Sequence, residues 1–239
     1  DASLYAVVAF RMLPETVWDR PTLGTVNLHA SLLPDYRGAA PINWALINGE
    51  EHTGVSTFFI SKDIDTGDLL LREEVPINAD DDAGSLHDRM KTVGADLLVH
   101  TAKDIFDGTV NGLPQQDYIG DAVHEAPKLT RENCRIDWSK SAQQVHDLVR
   151  GLAPEPGAWS MWHEPGKAEA PFKVLRSIPV THKHHLGDPG TVSVANGKLL
   201  VQCGTGVLEA VVVQAQGKRP MEAAAFVRGL RKHEGIQFR

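Results

Sequence analysis

Hydrophobic and polar positions change period several times along the first hundred residues. Leu4–Phe10 is short, apolar and β-prone, and reads as a buried strand. Pro14–Trp18 predicts a short helix, and Thr25–Ala30 a second strand. Ala39–Asn48 has a helical period, with Gly49 as its C-terminal stop. Gly54–Ile60 is β-branched and aromatic, hence a third strand, and Asp68–Pro76 is a fourth that could pair with it. Between Ser85 and Asp107, Leu86, Met90, Val93, Leu97, Leu98 and Ile105 recur on one helical face. Strand–helix alternation of this kind predicts an α/β layer with some parallel pairing.

The period dissolves from Gly108 to Leu129, where Gly, Pro and polar residues dominate, and the stretch reads as a linker. A helix follows over Ser139–Leu152. Ser139 or Ser141 can cap it, and Val145, Leu148, Val149 and Leu152 form its apolar face. Beyond it, Phe172–Val180, Gly190–Val194, Leu199–Gln202 and Val207–Gln214 are strand-like, with hairpin chemistry at Asn196-Gly197 and Gly204–Gly206. Met221–Lys232 is predicted as a closing helix. Short, evenly spaced strands predict a small barrel. The expected division is 1–110, a linker over 111–128, and 129–239. A strand so soon after Asp1 leads to the expectation that further sequence lies upstream.

Charge supports two parts. The net charge is −7. Residues 1–125 carry 8 Lys+Arg against 21 Asp+Glu, and residues 126–239 carry 16 against 10, so the halves are −13 and +6. A basic half fits either a polyanionic partner or a solvated basic face. Two cysteines, Cys134 and Cys203, exclude a disulfide scaffold and fit a reducing cytoplasm. No apolar run approaches the roughly 20 residues that cross a bilayer, so no membrane partner is expected. The tract His182–His185 has no carboxylate or cysteine cluster beside it and reads as a solvated loop, and no metal is expected.

Candidate chemistry sits in "VNLHASLLPDYRG", Val26–Gly38. Alternate strand residues share a face, so Asn27 and His29 project together. Such a pair near a strand end in an α/β sheet either forms a ligand site or is a satisfied buried polar pair. Further on, "DIDTGD" (Asp63–Asp68) is a carboxylate-rich loop. It could be solvated, could hold a metal, or could bring a carboxylate to His29.

These pieces, in this order, resemble the folate-dependent formyltransferases: Asn-x-His, Ser-Leu-Leu-Pro, Arg-Gly, then Asp-Thr-Gly-Asp. The resemblance runs nearly to the end, through "KLTRENCRIDWSKSAQQVHDLVRG" and "GVLEAVVVQAQGKRPMEAAAFVRG". It implies a Rossmann-like formyltransferase domain, lacking its N-terminal part, followed by a small OB-like β-barrel. It also implies transfer of a formyl group from 10-formyltetrahydrofolate to an amine, that of methionine on initiator tRNA, without a metal. Asn27, His29 and Asp65 take the catalytic positions by this match. Phe10, Arg11, Met12, Leu13, Asp63 and Ile64, together with Ser31, Leu32, Leu33 and Pro34, are the implied folate-binding set. Arg37 and Gly38 fall on the amine side, and Arg131, Arg135, Lys218 and Arg219 are implied tRNA contacts. For Trp159 and Trp162 core packing is the stronger expectation than base stacking. A cytoplasmic monomer is expected, with little activity by itself if sequence is missing at the front. Three alternatives stay open: an N-formyltransferase for amino-sugar nucleotides, a formyl-folate hydrolase, and an RNA-binding protein without catalysis.

Overall fold

The computed structural model describes residues 2–9, 13–118, 123–180, 185–230 and 234–239. Phe10, Arg11 and Met12, His182 to His184, and the end of the expected last helix, Arg231 and Lys232, lie outside the described residues. The chain forms two units. The first comprises 1–45, 50–81 and 85–128, and the second 46–49, 82–84 and 129–239.

In the first unit, β1 (Tyr5–Val8), α1 (Glu15–Trp18) and β2 (Thr25–His29) lead to the short β3 (Arg37–Gly38) and to α2 (Pro41–Ile47). Then come β4 (His52–Phe59), β5 (Leu69–Pro76) and the long α3 (Ala83–Asp107). The main sheet runs β1-β2-β4-β5 and is mixed: β1 and β2 are parallel, and β2–β4 and β4–β5 are antiparallel. Alternation on β2 divides its side chains between two faces. Leu28 meets α3 at Gly94, and its cross-strand neighbour Thr57 hydrogen-bonds Thr101 at 2.8 Å. Asn27 and His29 point the other way, opposite Phe58 and Ser56 of β4.

The expected linker is stitched to this unit instead. Leu113 exchanges two backbone hydrogen bonds of 2.8 Å with Leu69 of β5. A single 3₁₀ turn follows at Gln115–Tyr118, with Arg72 over the Tyr118 ring at 4.2 Å. Farther on, β6 (Glu125–Ala126) pairs in parallel with β3. These contacts are polar and aperiodic, which is why a hydrophobic-period reading gives a loop.

Asp81 accepts from both terminal nitrogens of Arg89, at 2.9 and 2.5 Å, and from Ser85 Oγ and the Asn78 amide. The Arg89 hydrogen bond, above all, holds the Asp81 carboxyl below the usual carboxylate range, against desolvation. A carboxyl lowered in the folded state adds stability above its unfolded value of about 4, lost as pH falls further. Asp81→Asn is therefore expected to cost about 2 kcal/mol at pH 7 and to flatten the stability–pH curve below about pH 4, read by urea melts across pH.

The second unit starts its regular structure with α4 (Ala142–Leu152). Ser141 caps it, since its hydroxyl accepts from the Gln144 amide while Gln144 Oε1 accepts from the Ser141 N–H. Val145, Val149 and Leu152 face the core, as their spacing predicts. The sheet runs β13-β7-β8-β11-β10-β9, with β7 (Ala158–His163), β8 (Ala170–Val180), β9 (Val192–Ala195), β10 (Lys198–Gln202), β11 (Val207–Ala215) and β13 (Gln237–Phe238). β12 (Met221–Glu222) pairs with β11, so the closing helix, α5 (Ala223–Arg228), starts later than Met221. The sheet nearly closes into a barrel: Thr191, beside β9, bridges Gln237 of β13, and the Phe238 amide donates to Gly190 O at 2.8 Å. Trp162 packs in its core, its ring 4.9 Å from Phe172 and 5.1 Å from Phe238.

Candidate active site

Three separate segments of the first unit converge on one cleft of about 1370 Å³. The end of β2 supplies Asn27 and His29, the end of β3 supplies Gly38, and the loop after β4 supplies Asp63, Ile64 and Asp65. Leu13, after β1, lines it as well.

His29 is 7% exposed. Its Nε2 stands 2.9 Å from the carbonyl oxygen of Tyr36. A carbonyl only accepts, so Nε2 must carry the proton, and the neutral ring keeps its lone pair on Nδ1. Nδ1 faces Asp65 Oδ2 at 3.7 Å, too long for a direct hydrogen bond. Asp65 Oδ2 in turn accepts from the Gly38 amide at 3.1 Å. A proton arriving at Nδ1 would therefore meet a fixed negative charge. An imidazole placed in this way can accept a proton on that nitrogen.

Asn27 is 5% exposed, and its Oδ1 has no hydrogen-bond partner among the described residues. Buried amides are normally satisfied by the fold. Its oxygen is an exception among the described residues, and the side chain lines the cleft beside His29.

The backbone brings the carboxylate to this place under constraint. Asp65 adopts a left-handed conformation, φ 54°, at a cost on the order of 1 kcal/mol. Its loop is cross-braced by Ser61 and Thr66 hydroxyls, 3.0 Å apart, both of which donate to Asp63 O. Gly67 lies so close to the Phe59 carbonyl that a Cβ there would drive into it. Gly38 has φ 126°, and a Cβ on it would collide with Ala126 O, where β3 pairs with β6.

Other expected site residues have different surroundings. Ser31, Leu33 and Pro34 are buried in a closed turn, and with Leu32 they do not line the cleft. Ser31 Oγ donates to Asp35 O, Ser56 Oγ bridges Ser31 O and the Leu33 amide, and Leu33 packs on Phe58 and Leu69. The Leu33–Pro34 peptide is cis. Arg37 also turns away from the cleft lining, donating through Nε and one terminal nitrogen to Gln115 Oε1 at 3.0 and 2.6 Å. Gln115 is 3% exposed, and its Nε2 donates to Asp65 O at 2.9 Å and Gly67 O at 2.8 Å. No apolar period or known motif surrounds this residue, so nothing in the sequence singles it out.

In the second unit, Arg131 and Arg135 are exposed, with their guanidinium carbons 4.8 and 5.6 Å from the Trp159 ring centroid. Trp159 is half-buried beside a cleft of about 560 Å³ that Arg131 and Lys173 also line. It is only partly buried, yet it packs against the same core cluster that holds Trp162. Lys218 and Arg219 are exposed in the turn between β11 and β12. Among the described residues no group of three or more His, Cys, Asp and Glu could hold a metal ion, and no helix is long and apolar enough to cross a membrane.

Residues 2–102 match the formyl transferase family model, and residues 128–231 match that of the formyl transferase C-terminal domain. Methionyl-tRNA formyltransferase of Porphyromonas gingivalis is 43% identical over 230 residues, spanning 95% of this chain and 71% of that one. The enzyme of the same name from Chlorobium phaeovibrioides is 44% identical over 234 residues, spanning 97% and 71%. Among solved structures, HypX from Aquifex aeolicus in complex with tetrahydrofolic acid has a similar fold: TM-score 0.68, 20% identity, 99% of this chain and 42% of that one. The sugar 3N-formyl transferase WlaRD, with dTDP and 5-N-formyl-THF, gives TM-score 0.64 at 18% identity, over 90% of this chain and 73% of that one. Matched across both of its domains, and more than 40% identical to those curated enzymes over most of their length, the chain belongs to the methionyl-tRNA formyltransferase family.

Proposed function

We propose that the protein formylates the amino group of methionine on initiator tRNA in the cytoplasm, using 10-formyltetrahydrofolate, and that Asn27, His29 and Asp65 carry the reaction. The observation that supports it most is the convergence on one cleft of a buried amide whose oxygen has no partner among the described residues, a one-sided imidazole and an anchored carboxylate.

The bound folate would supply an activated formyl carbon, held between Leu13 on one side and the loop of Asp63 and Ile64 on the other. Asn27 donates from its amide to the formyl oxygen as negative charge grows there. His29 receives on Nδ1 the proton that the attacking amine sheds, and returns it to the departing nitrogen. Asp65 balances the imidazolium in between, and the Tyr36 carbonyl keeps Nε2 from competing for the same proton.

We assign tRNA holding to the second unit, which we read as OB-like, with Arg131, Arg135, Lys218 and Arg219 on its basic surface. Nucleic-acid binding by such barrels combines cationic and aromatic groups, as Trp159 with its two arginines does. Replacing Arg131 and Arg135 together by alanine is expected to raise KM for tRNA and to lower the slope of log affinity against log salt by about one per lost phosphate contact, with kcat retained. Assaying formyl transfer to charged initiator tRNA beside an amino-sugar nucleotide tests the assignment. Transfer to the tRNA alone is the expected result, and transfer to the sugar nucleotide alone would overturn it.

A further inference from the structure

We propose that Gln115 is a positioning residue for Asp65: its amide holds the acidic loop in the conformation that presents the carboxylate to His29. The inference rests on the catalytic reading of Asp65 and extends it to a residue 50 positions away in sequence.

The amide is fully engaged. Its nitrogen donates to the carbonyls of Asp65 and Gly67, and its oxygen accepts twice from Arg37. That set fixes the orientation. Turned end for end, the amide would set N–H groups against guanidinium N–H groups and its oxygen against two carbonyls. Arg37 therefore decides which end of Gln115 meets the loop.

The two carbonyls held are those of Asp65 itself and of Gly67, two residues beyond it. Asp65 is left-handed, a conformation that persists only where surroundings enforce it. Gly38, next to Arg37, donates its amide to the Asp65 carboxylate. Gln115 thus fixes the Asp65 backbone from one side and, through Arg37, lies one residue from the donor that fixes its side chain. Gln115 is itself anchored by the Leu113–Leu69 backbone pair and by the Tyr118–Arg72 contact on either side. It touches neither Asn27 nor His29 in the structure's hydrogen bonds, so its influence on the reaction runs through Asp65.

Two replacements separate the two ends of the amide. Gln115→Glu keeps an oxygen for Arg37 and loses both N–H groups facing the loop. Gln115→Met removes both ends. Both are expected to lower kcat on the order of 10²-fold, the scale for misplacing a catalytic group by about 1 Å, with KM for folate and tRNA within a few-fold of wild type. In an Asp65→Ala background either replacement should change kcat less than about twofold, because residues that act as one unit are not additive. Amide exchange gives a readout independent of turnover: the Gly38 N–H should exchange faster in Gln115→Glu than in wild type.

Wild-type kcat in Gln115→Glu would overturn the inference, because holding Arg37 would then be enough. An equal loss with and without Asp65 would also overturn it, as would unchanged Gly38 exchange. Should Gln115→Met not fold, Gln115→Glu and its Asp65→Ala combination still decide. If the wild type itself transferred no formyl group, the functional reading would fall while the exchange experiment still tested the clamp.

Discussion

His29→Ala is expected to lower formyl transfer by roughly 10³-fold, within the 10²–10⁴ attributed to a positioned general acid–base group. Because Nε2 is committed to Tyr36 O, the change removes the one nitrogen open to the reacting amine. Free imidazole added to this variant should restore part of the rate in proportion to its concentration, since the lost ring lines an open cleft. Circular dichroism and the melting temperature should stay near wild type. A loss of turnover matched by a loss of folded protein would mean instead that His29 serves the packing of the β2 end.

Asn27→Ala is expected to cost on the order of 10²- to 10³-fold in kcat, the usual loss for one preorganised donor to a developing oxyanion. Asn27→Asp should be worse than alanine. It retains the shape but puts an acceptor, and a negative charge, where the transition state needs a donor. An ordering with aspartate at or above alanine would show that Asn27 acts by shape and not by donation. Stability should move little in Asn27→Ala, because among the described residues Oδ1 makes no hydrogen bond.

The elements that were legible in the sequence are those whose side chains announce a period. Val145, Val149 and Leu152 mark α4, and the β-branched run through Phe59 marks β4. The positions of Asn27 and His29 on one strand face follow from alternation alone. β7 escaped because its inward positions include Ser160, which is fully buried yet polar: it accepts from Trp138 Nε1 and donates to Arg239 O. A buried serine reads as a loop residue unless its partners, 22 and 79 positions away, are known. Met221 and Glu222 looked like a helix start because pairing with Val213 and Val212 is a tertiary matter. Gln115 was hidden for the same reason as Ser160. Its work is hydrogen bonding to backbone carbonyls and to Arg37, which leaves no hydrophobic trace. The 3.7 Å gap between His29 and Asp65, and the carbonyl that fixes the imidazole tautomer, are likewise facts of the fold.

Single-turnover formylation of initiator methionyl-tRNA, at saturating 10-formyltetrahydrofolate, should be measured for Asn27→Ala, His29→Ala, Asp65→Ala and the triple variant. If the three side chains work as one unit, the triple variant will be within about tenfold of the slowest single variant. Losses that simply multiply, or any single variant transferring at the wild-type rate, would contradict it.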